Sequence, residues 1–176
     1  ISDIVNFFID GNNRMWVVMK GYNRCYDIQQ EAASGDITLL PQKTNLIYQT
    51  SLIYCFNDEQ SLYYIDKEFN FYAFHIPTQK NEFIANLGKE IQERGKISSI
   101  VHYHNSYFVG FLMDGILLLE KQKETVHYQI QSLPINSGVF CLKKDRFQDI
   151  VWGYDTLAEY EENEPNLGAI IGRNAN

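Results

Sequence analysis

The sequence predicts an all-β protein built from four copies of one repeat, and three observations carry this prediction. First, an aromatic residue recurs after 47, 45 and 44 residues, at Trp16, Tyr63, Phe108 and Trp152. Second, each aromatic follows an apolar run that ends in a polar turn. Third, another predicted strand follows each aromatic strand. A repeat of about 40–50 residues made of strands is typical of the four-stranded blade of a β-propeller.

The opening strand of each copy is rich in β-branched and aromatic residues, which suit a packed sheet. The turns after these strands consist of Asp, Asn, Gly, Ser or Lys, and Asn and Gly accept the backbone angles of a tight hairpin. Opening strands are predicted at residues 4–10, 52–58, 100–105 and 139–142, and aromatic strands at 15–18, 62–65, 107–110 and 150–153.

Third strands are predicted at residues 22–27, 71–75, 116–120 and 157–161, where Tyr26, Phe74, Leu119 and Tyr160 keep a common register. Weaker fourth strands are predicted at 37–40, 82–84 and 125–130, because outer strands with one edge in solvent are the least regular. The blades then cover about residues 1–44, 45–96, 97–135 and 136–176 of a single domain.

Composition limits the classes of partner. The chain has 176 residues, 14% of them aromatic, which favours a packed β protein over a disordered one. Its net charge of −7 and scattered Lys and Arg residues exclude a nucleic-acid surface, which needs a basic stripe. No segment approaches the roughly 20 apolar residues of a membrane helix, so we expect no membrane contact by this segment.

The sequence contains no recognisable catalytic or metal-binding motif. The chain contains neither a Gly-x-Ser-x-Gly elbow nor a Gly-rich phosphate loop. His102 and His104 share one strand face, but no third metal ligand is identifiable. The recurring aromatics are interpreted as core. We therefore predict no catalytic residue, no metal and no cofactor.

The three cysteines, Cys25, Cys55 and Cys141, cannot all pair within one chain. Cys55 and Cys141 occupy the same place in copies that are not neighbours, so a disulfide between them is not expected. We interpret all three as small buried hydrophobic residues.

The connections carry the candidate binding residues. Loops between second and third strands should share a face with the connections between blades, and the connections at residues 29–44 and 79–96 are long. Loops of this length either form a ligand-binding rim or simply connect one blade to the next. Residues 85–94 form either a short helix or a turn.

The four copies resemble the two-component regulator propeller repeat. The first copy carries the resemblance best, through Val5, Phe8, Asp10-Gly11, Met15-Trp16-Val17, Gly21 and Arg24-Cys25-Tyr26-Asp27. The third keeps Tyr107-Phe108-Val109-Gly110, and the fourth keeps Asp149-Ile150-Val151-Trp152-Gly153. The second copy has lost its glycines.

The resemblance implies an extracytoplasmic, periplasmic sensor module of a hybrid two-component system, which often senses oligosaccharides. The histidine kinase and the membrane anchor would lie in segments not present here. Four copies are the lower limit for a propeller, which has 4 to 8 blades. We therefore expect part of a larger or incomplete propeller, whose open faces other propeller domains or a second copy would cover in a dimer.

On this basis we expect five ligand-binding residues, with two aromatic rings stacking on sugars and three polar groups binding hydroxyls. They are Lys20, Tyr22, Asp66, Asp114 and Tyr154. Two alternatives stay open: a protein-interaction propeller without a small-molecule ligand, and a glycan-active propeller enzyme, for which Asp58, Asp66 and Asp114 could supply a carboxylate pair.

Overall fold

The structure is a computed structural model. It describes residues 3–44, 47, 51–122, 127–135, 138–144 and 150–154, the last range as backbone only. This part of the chain contains 14 strands and one short helix. The chain divides into two compact units, Ile1–Asn86 and Leu87–Asn176, and each unit contains two sheets.

Three sheets have four antiparallel strands, each paired with its neighbour in the chain. Sheet 1 contains β1 (Ile4–Ile9), β2 (Arg14–Met19), β3 (Asn23–Gln30) and β4 (Ile37–Gln42). Sheet 2 contains β5 (Leu52–Asn57), β6 (Ser61–Asp66), β7 (Asn70–His75) and β8 (Lys80–Asn86). Sheet 3 contains β9 (Ile97–Tyr103), β10 (Ser106–Phe111), β11 (Ile116–Lys121) and β12 (Tyr128–Ser132).

The described part of sheet 4 contains β13 (Val139–Lys144) and β14 (Ile150–Tyr154). The third strand predicted at residues 157–161 lies outside the described residues. Helix α1 (Gly88–Arg94) lies between β8 and β9. It covers most of residues 85–94, for which the sequence predicted either a short helix or a turn. The helix ends at Gly95, whose N–H donates to the Ile91 carbonyl at a φ of 87°.

The repeat register predicted from the sequence is confirmed in the three complete sheets. Tyr26 lies opposite Met15, Phe74 opposite Leu62, and Leu119 opposite Tyr107. In each case the partner is the residue just before the recurring aromatic. The all-β, propeller-type repeat array is therefore confirmed, because the same meander and the same pairing return in successive copies.

The recurring aromatics are core residues, as predicted. Trp16 is 3% exposed, Tyr63 1% and Phe108 6%. In unit 1, sheets 1 and 2 share one core, in which the Trp16 and Phe74 rings lie 6.5 Å apart edge to face. The Trp152 side chain lies outside the described residues.

In unit 2, sheet 3 packs on β13 around Val101, Phe108, Val139 and Leu142. The Leu142 N–H donates to the buried Ser99 hydroxyl at 2.8 Å, which joins the two sheets by a hydrogen bond. Before β13, the backbone of Gly138 lies so close to the Leu112 carbonyl that a Cβ there would overlap its oxygen. Only glycine fits at such an approach.

The cysteine interpretation is correct for two residues and wrong for Cys141. All three thiols are free; Cys25 and Cys55 are buried, whereas Cys141 is exposed. A register shift follows Val139 in β13, and Val139 and Leu142 are the residues of this strand that face the core. Burial raises the pKa of Cys25 to about 11 and that of Cys55 to about 12.

No helix in the described part of the chain is long and apolar enough to cross a membrane.

Candidate functional site

The turn aspartates are structural groups that hold the recurring aromatics. Asp10, between β1 and β2, is 5% exposed and accepts a hydrogen bond from Trp16 Nε1 at 2.9 Å. It also accepts from the N–H groups of Asn12 and Arg14 at 2.9 and 3.1 Å. The Arg14 guanidinium lies 2.8 Å from the same carboxylate. Burial alone would raise the pKa of the Asp10 carboxyl. The hydrogen bonds from Trp16 and Arg14 outweigh this effect and hold the pKa below its ordinary value of 3.8.

The second copy repeats this arrangement with different atoms. Asp58 accepts from the N–H groups of Gln60 and Ser61 at 2.9 and 2.8 Å, and from the Tyr63 hydroxyl. Phe108, the third aromatic, has no polar atom with which to make the same bond. In the first two copies, the turn carboxylate therefore binds the side chain of the recurring aromatic within the same hairpin.

Asp66, one of the predicted ligand residues, shapes the turn between β6 and β7. It is 4% exposed, and its carboxylate accepts from the N–H groups of Glu68 and Asn70 at 2.9 Å each. The Asn70 side-chain amide donates to it at 3.2 Å. Three hydrogen bonds within its own turn account for its burial, and ligand binding by this residue stays a prediction.

Lys20 and Tyr22 lie together on the turn between β2 and β3. The Met19 N–H donates to the Tyr22 carbonyl at 2.9 Å and closes the turn. Lys20 is exposed, and Tyr22 is 42% exposed. The Arg24 guanidinium lies 5.5 Å from the centre of the Tyr22 ring. We call Lys20, Tyr22 and Arg24 the unit 1 rim.

Backbone hydrogen bonds fix this turn to the beginning of sheet 2. The Leu52 N–H donates to the Lys20 carbonyl at 3.1 Å, and the Lys67 N–H donates to the Ser51 carbonyl at 2.9 Å. The turns after β2 and β6 therefore both meet the chain where it enters β5. The long connection predicted at residues 29–44 is wrong, because most of it belongs to β4 (Ile37–Gln42) and to the turn that precedes it.

Arg24 was missed by the sequence reasoning. It lies near the start of β3, two residues after Tyr22, and only the folded turn brings its guanidinium beside that ring. A hydrogen bond with Tyr26 and the charge interactions with Tyr26 and Tyr22 raise the pKa of Arg24 above its usual value. Arg24 therefore stays a cation beside the exposed aromatic ring.

In unit 2, Asp114 is held by helix α1. Arg94 Nη1 donates to the Asp114 carbonyl at 3.1 Å and lies 3.2 Å from its carboxylate. Arg94 also donates to the Ser132 hydroxyl and lies 5.9 Å from the centre of the Phe111 ring. Asp114 keeps half of its side chain exposed, at 51%. Arg94, which the sequence reasoning also missed, fixes the position of this carboxylate.

Tyr154, the last predicted ligand residue, is the final residue of β14. Its backbone pairs with Val139, the residue after Gly138, and Gly138 contacts the turn that contains Asp114. Within unit 2 the backbone thus brings the Tyr154 and Asp114 positions to the same end of the sheets. The Tyr154 side chain lies outside the described residues.

His102 and His104 do not form part of a metal cluster in the described residues, where no group of three potential ligands occurs. The His102 ring stacks on Tyr107 at 4.7 Å. His104 has a φ of 53° in the turn after β9 and contacts Tyr103.

Comparisons with known proteins give only distant similarities. No family model matches the chain, and no curated protein matches it in sequence. The computationally designed protein Ika8 is 14% identical over 86% of this chain and 43% of its own, with a TM-score of 0.49. The designed protein Ika4 is 13% identical over 86% of this chain and 84% of its own, also with a TM-score of 0.49.

The third similarity is to the extracellular domain of BT4673 from B. thetaiotaomicron, described as a hybrid two component system. It is 14% identical over 87% of this chain and 25% of that domain, with a TM-score of 0.41. The chain thus spans a quarter of this domain and less than half of Ika8. At these TM-scores the similarities carry no argument, and membership of the two-component regulator propeller family stays a prediction.

Proposed function

We propose that the chain is a non-catalytic, propeller-type binding module that serves as the extracytoplasmic signal-input part of a hybrid two-component system, with a periplasmic location. Its ligand would be carbohydrate-like and would bind at the unit 1 rim. The observation that carries the proposal is the partly exposed Tyr22 ring, which lies beside the Arg24 guanidinium and two residues from the exposed Lys20.

The rim has the chemistry that sugar recognition needs. An aromatic ring offers an apolar face for the C–H groups of a sugar, while neighbouring polar groups fix the orientation of its hydroxyls. The guanidinium near Tyr22 restricts the ring through a cation–π contact. The ammonium of Lys20 supplies three donors to ligand oxygens.

The proposed mechanism of sensing uses the connection between the two sheets of unit 1. The rim turn is bonded to Leu52, and the β6–β7 turn is bonded to Ser51. A ligand that bridges the β2–β3 and β6–β7 turns would favour one arrangement of the segment that leads into β5. Such a bias is the basis of a ligand-dependent population shift. Within unit 2, Asp114 and Tyr154 would form a second contact group that binds its own ligand.

A thermal-shift experiment with a panel of oligosaccharides tests the proposal. At least one glycan should raise the Tm of the wild-type chain, and Tyr22→Ala should lose this shift while keeping its own unliganded Tm near that of the wild type. Phe83→Ala is the matched control, because Phe83 is a 52% exposed aromatic on β8. Asp114→Ala tests the second contact group separately. An unchanged shift in Tyr22→Ala would exclude the rim.

One observation favours a protein partner as a second candidate function. Sheet 1 exposes several large apolar side chains away from sheet 2, and exposed apolar patches of this kind mark interaction surfaces. Capture of a protein partner, with no response to the glycan panel, would support this second function.

A further inference from the structure

Helix α1 is too short to be stable by itself. It has seven residues, whereas an isolated helix in water needs about 12–15. None of its residues is buried, and Leu87 at its N-cap position makes no capping hydrogen bond through its side chain. Because most helical stability in proteins comes from tertiary packing, the folded state of α1 depends on its contacts with the rest of unit 2.

Arg94, the last residue of α1, contacts three other parts of unit 2. Its Nη1 donates to the Asp114 carbonyl at 3.1 Å and lies 3.2 Å from the Asp114 carboxylate, in the turn between β10 and β11. Its Nη2 donates to the Ser132 hydroxyl at the end of β12, and its guanidinium lies 5.9 Å from the centre of the Phe111 ring. Hydrogen bonds that involve a charged group are stronger than neutral ones, so Arg94 ties the end of α1 firmly to the sheet.

The other described ion pair of α1 does not connect the helix to the sheet. Lys89 Nζ lies 3.9 Å from the Glu93 carboxylate, and the two side chains are 77% and 60% exposed. Both residues belong to α1, and exposed pairs of this spacing contribute little to stability. The contact of Arg94 with Asp114 is therefore the described ion pair that joins α1 to the rest of unit 2.

The turn that receives Arg94 is fixed independently of the helix. The Phe111 N–H donates to the Gly115 carbonyl at 3.0 Å and closes this turn. Gly115 has a φ of 62°, and its backbone lies so close to the next connection that a Cβ would overlap the Ile135 carbonyl oxygen. If the contact between Arg94 and Asp114 is broken, the helix should therefore move and the turn should stay in place.

The two partners of this contact differ in their exposure to solvent. The Asp114 side chain is 51% exposed, whereas that of Arg94 is 18% exposed. A ligand can therefore reach the carboxylate directly, while the guanidinium stays largely covered. A ligand that donates hydrogen bonds to the Asp114 carboxylate would compete with Arg94 for it and shift the population towards the state in which α1 is released.

Helix α1 lies on the connection that leads from unit 1 into unit 2. Unit 1 ends at Asn86, and α1 begins two residues later, at Gly88. Seven residues span about 10 Å as a helix but up to about 23 Å as an extended chain. Release of α1 would therefore lengthen and loosen the connection between the two units.

We propose that Arg94 is a latch: its contact with Asp114 keeps α1 folded, and loss of this contact releases the helix from the sheet. A ligand at Asp114 would then control the connection between the units, which gives the sensor a way to pass on its signal. This use of the latch by a ligand rests on the proposed function, in which Asp114 contacts the ligand. The latch itself is tested without any ligand.

Hydrogen–deuterium exchange of the whole chain tests the latch. The readout is the exchange of the α1 amides, such as those of Ile91 and Gly95, which donate to the Leu87 and Ile91 carbonyls. Arg94→Ala should raise their exchange rate about tenfold or more, because hydrogen bonds to charged groups contribute more than neutral ones. Asp114→Asn, which keeps the backbone carbonyl but removes the charge, should raise the rate by a smaller factor.

Lys89→Ala is the matched control, since it removes the exposed ion pair within α1; exchange of the α1 amides should be unchanged. The amides of β10 should exchange as in the wild type in every variant, which shows that unit 2 stays folded. An unchanged rate for α1 in Arg94→Ala overturns the latch. An equal rise in β10 also overturns it, because Arg94 would then support unit 2 as a whole.

The glycan panel separates this inference from the proposed function. A glycan whose Tm shift is lost in Asp114→Ala should raise α1 exchange in the wild type but not in Arg94→Ala. If such a glycan leaves α1 exchange unchanged, control of the latch by a ligand is overturned while the proposed function stands. If no glycan binds, the proposed function fails, and the ligand-free variants alone decide whether the latch exists.

Discussion

Replacing Asp10 by alanine should destabilise unit 1 more than any change at an exposed carboxylate. The Trp16 Nε1–H, in a side chain that is 3% exposed, would lose its acceptor. An unsatisfied buried donor costs about 1–3 kcal/mol. The Arg14 guanidinium would lose the carboxylate 2.8 Å away, although its own side chain is 25% exposed and can recover some hydration. Together these losses predict a decrease of about 2–4 kcal/mol in the free energy of unfolding.

The pH dependence of this effect follows from the lowered pKa of Asp10. A carboxyl whose pKa is lower in the folded state stabilises the fold above its unfolded pKa, near 3.8. That contribution is lost as the pH falls through the folded value. The difference in free energy of unfolding between wild type and Asp10→Ala should therefore be constant above about pH 5 and decrease below the unfolded pKa.

Urea unfolding followed by circular dichroism at several pH values measures both effects. Asp36→Ala is the control, because Asp36 is exposed in the β3–β4 turn; we expect a change within about 0.5 kcal/mol. If Asp10→Ala unfolds within 0.5 kcal/mol of the wild type at neutral pH, the hydrogen bonds to Trp16 and Arg14 do not stabilise the hairpin, and the reasoning fails.

Two further predictions concern packing and thiol reactivity. Gly138→Ala should lower the stability of unit 2 by about 1–3 kcal/mol in the same urea assay, because its Cβ would overlap a neighbouring carbonyl; Gly21→Ala, where a Cβ meets nothing within 4 Å, should change it little, and equal effects would contradict this packing. Alkylation of the folded protein, read by mass spectrometry, should modify Cys141 and spare Cys25 and Cys55, whose burial raises their pKa values to about 11 and about 12. Rapid modification of either buried thiol before unfolding would contradict their placement.

The strands could be predicted from the sequence because two local signals agree. Runs of β-branched and aromatic residues mark most of the strands, and Asn, Gly or Asp marks most turns, as at Asp10 and Gly11. The recurring aromatic then fixes the register, since Trp16 and Tyr63 each lie in the second strand of a four-stranded sheet. The weak fourth strands were located within a few residues for the same reason.

Burial at individual positions could not be predicted in this way. Asp66 looks like a surface carboxylate in the sequence, but its turn folds over it through three hydrogen bonds. Cys141 occupies the same repeat position as Cys55, yet one is exposed and the other buried. Both outcomes depend on which neighbouring element covers a face, and repeat spacing does not contain that information.

The candidate site was predicted only in its outline. Tyr22 and Lys20 were identified by their place in a loop, whereas Arg24 and Arg94 lie in a strand and a helix and were not predicted as site residues. Their contacts with Tyr22 and Asp114 join residues through space. Such contacts become visible only when the elements are placed.

The pairing of every strand in sheets 1 to 3 with its neighbour in the chain has a consequence for how the protein folds. Each sheet can grow by closing one short hairpin after another, and loop closures of this kind take microseconds or less. The contacts that join sheets, such as the hydrogen bond from Leu142 to Ser99 across 43 residues, close much longer loops. The sheets should therefore form first, and the slow step should be their docking in pairs.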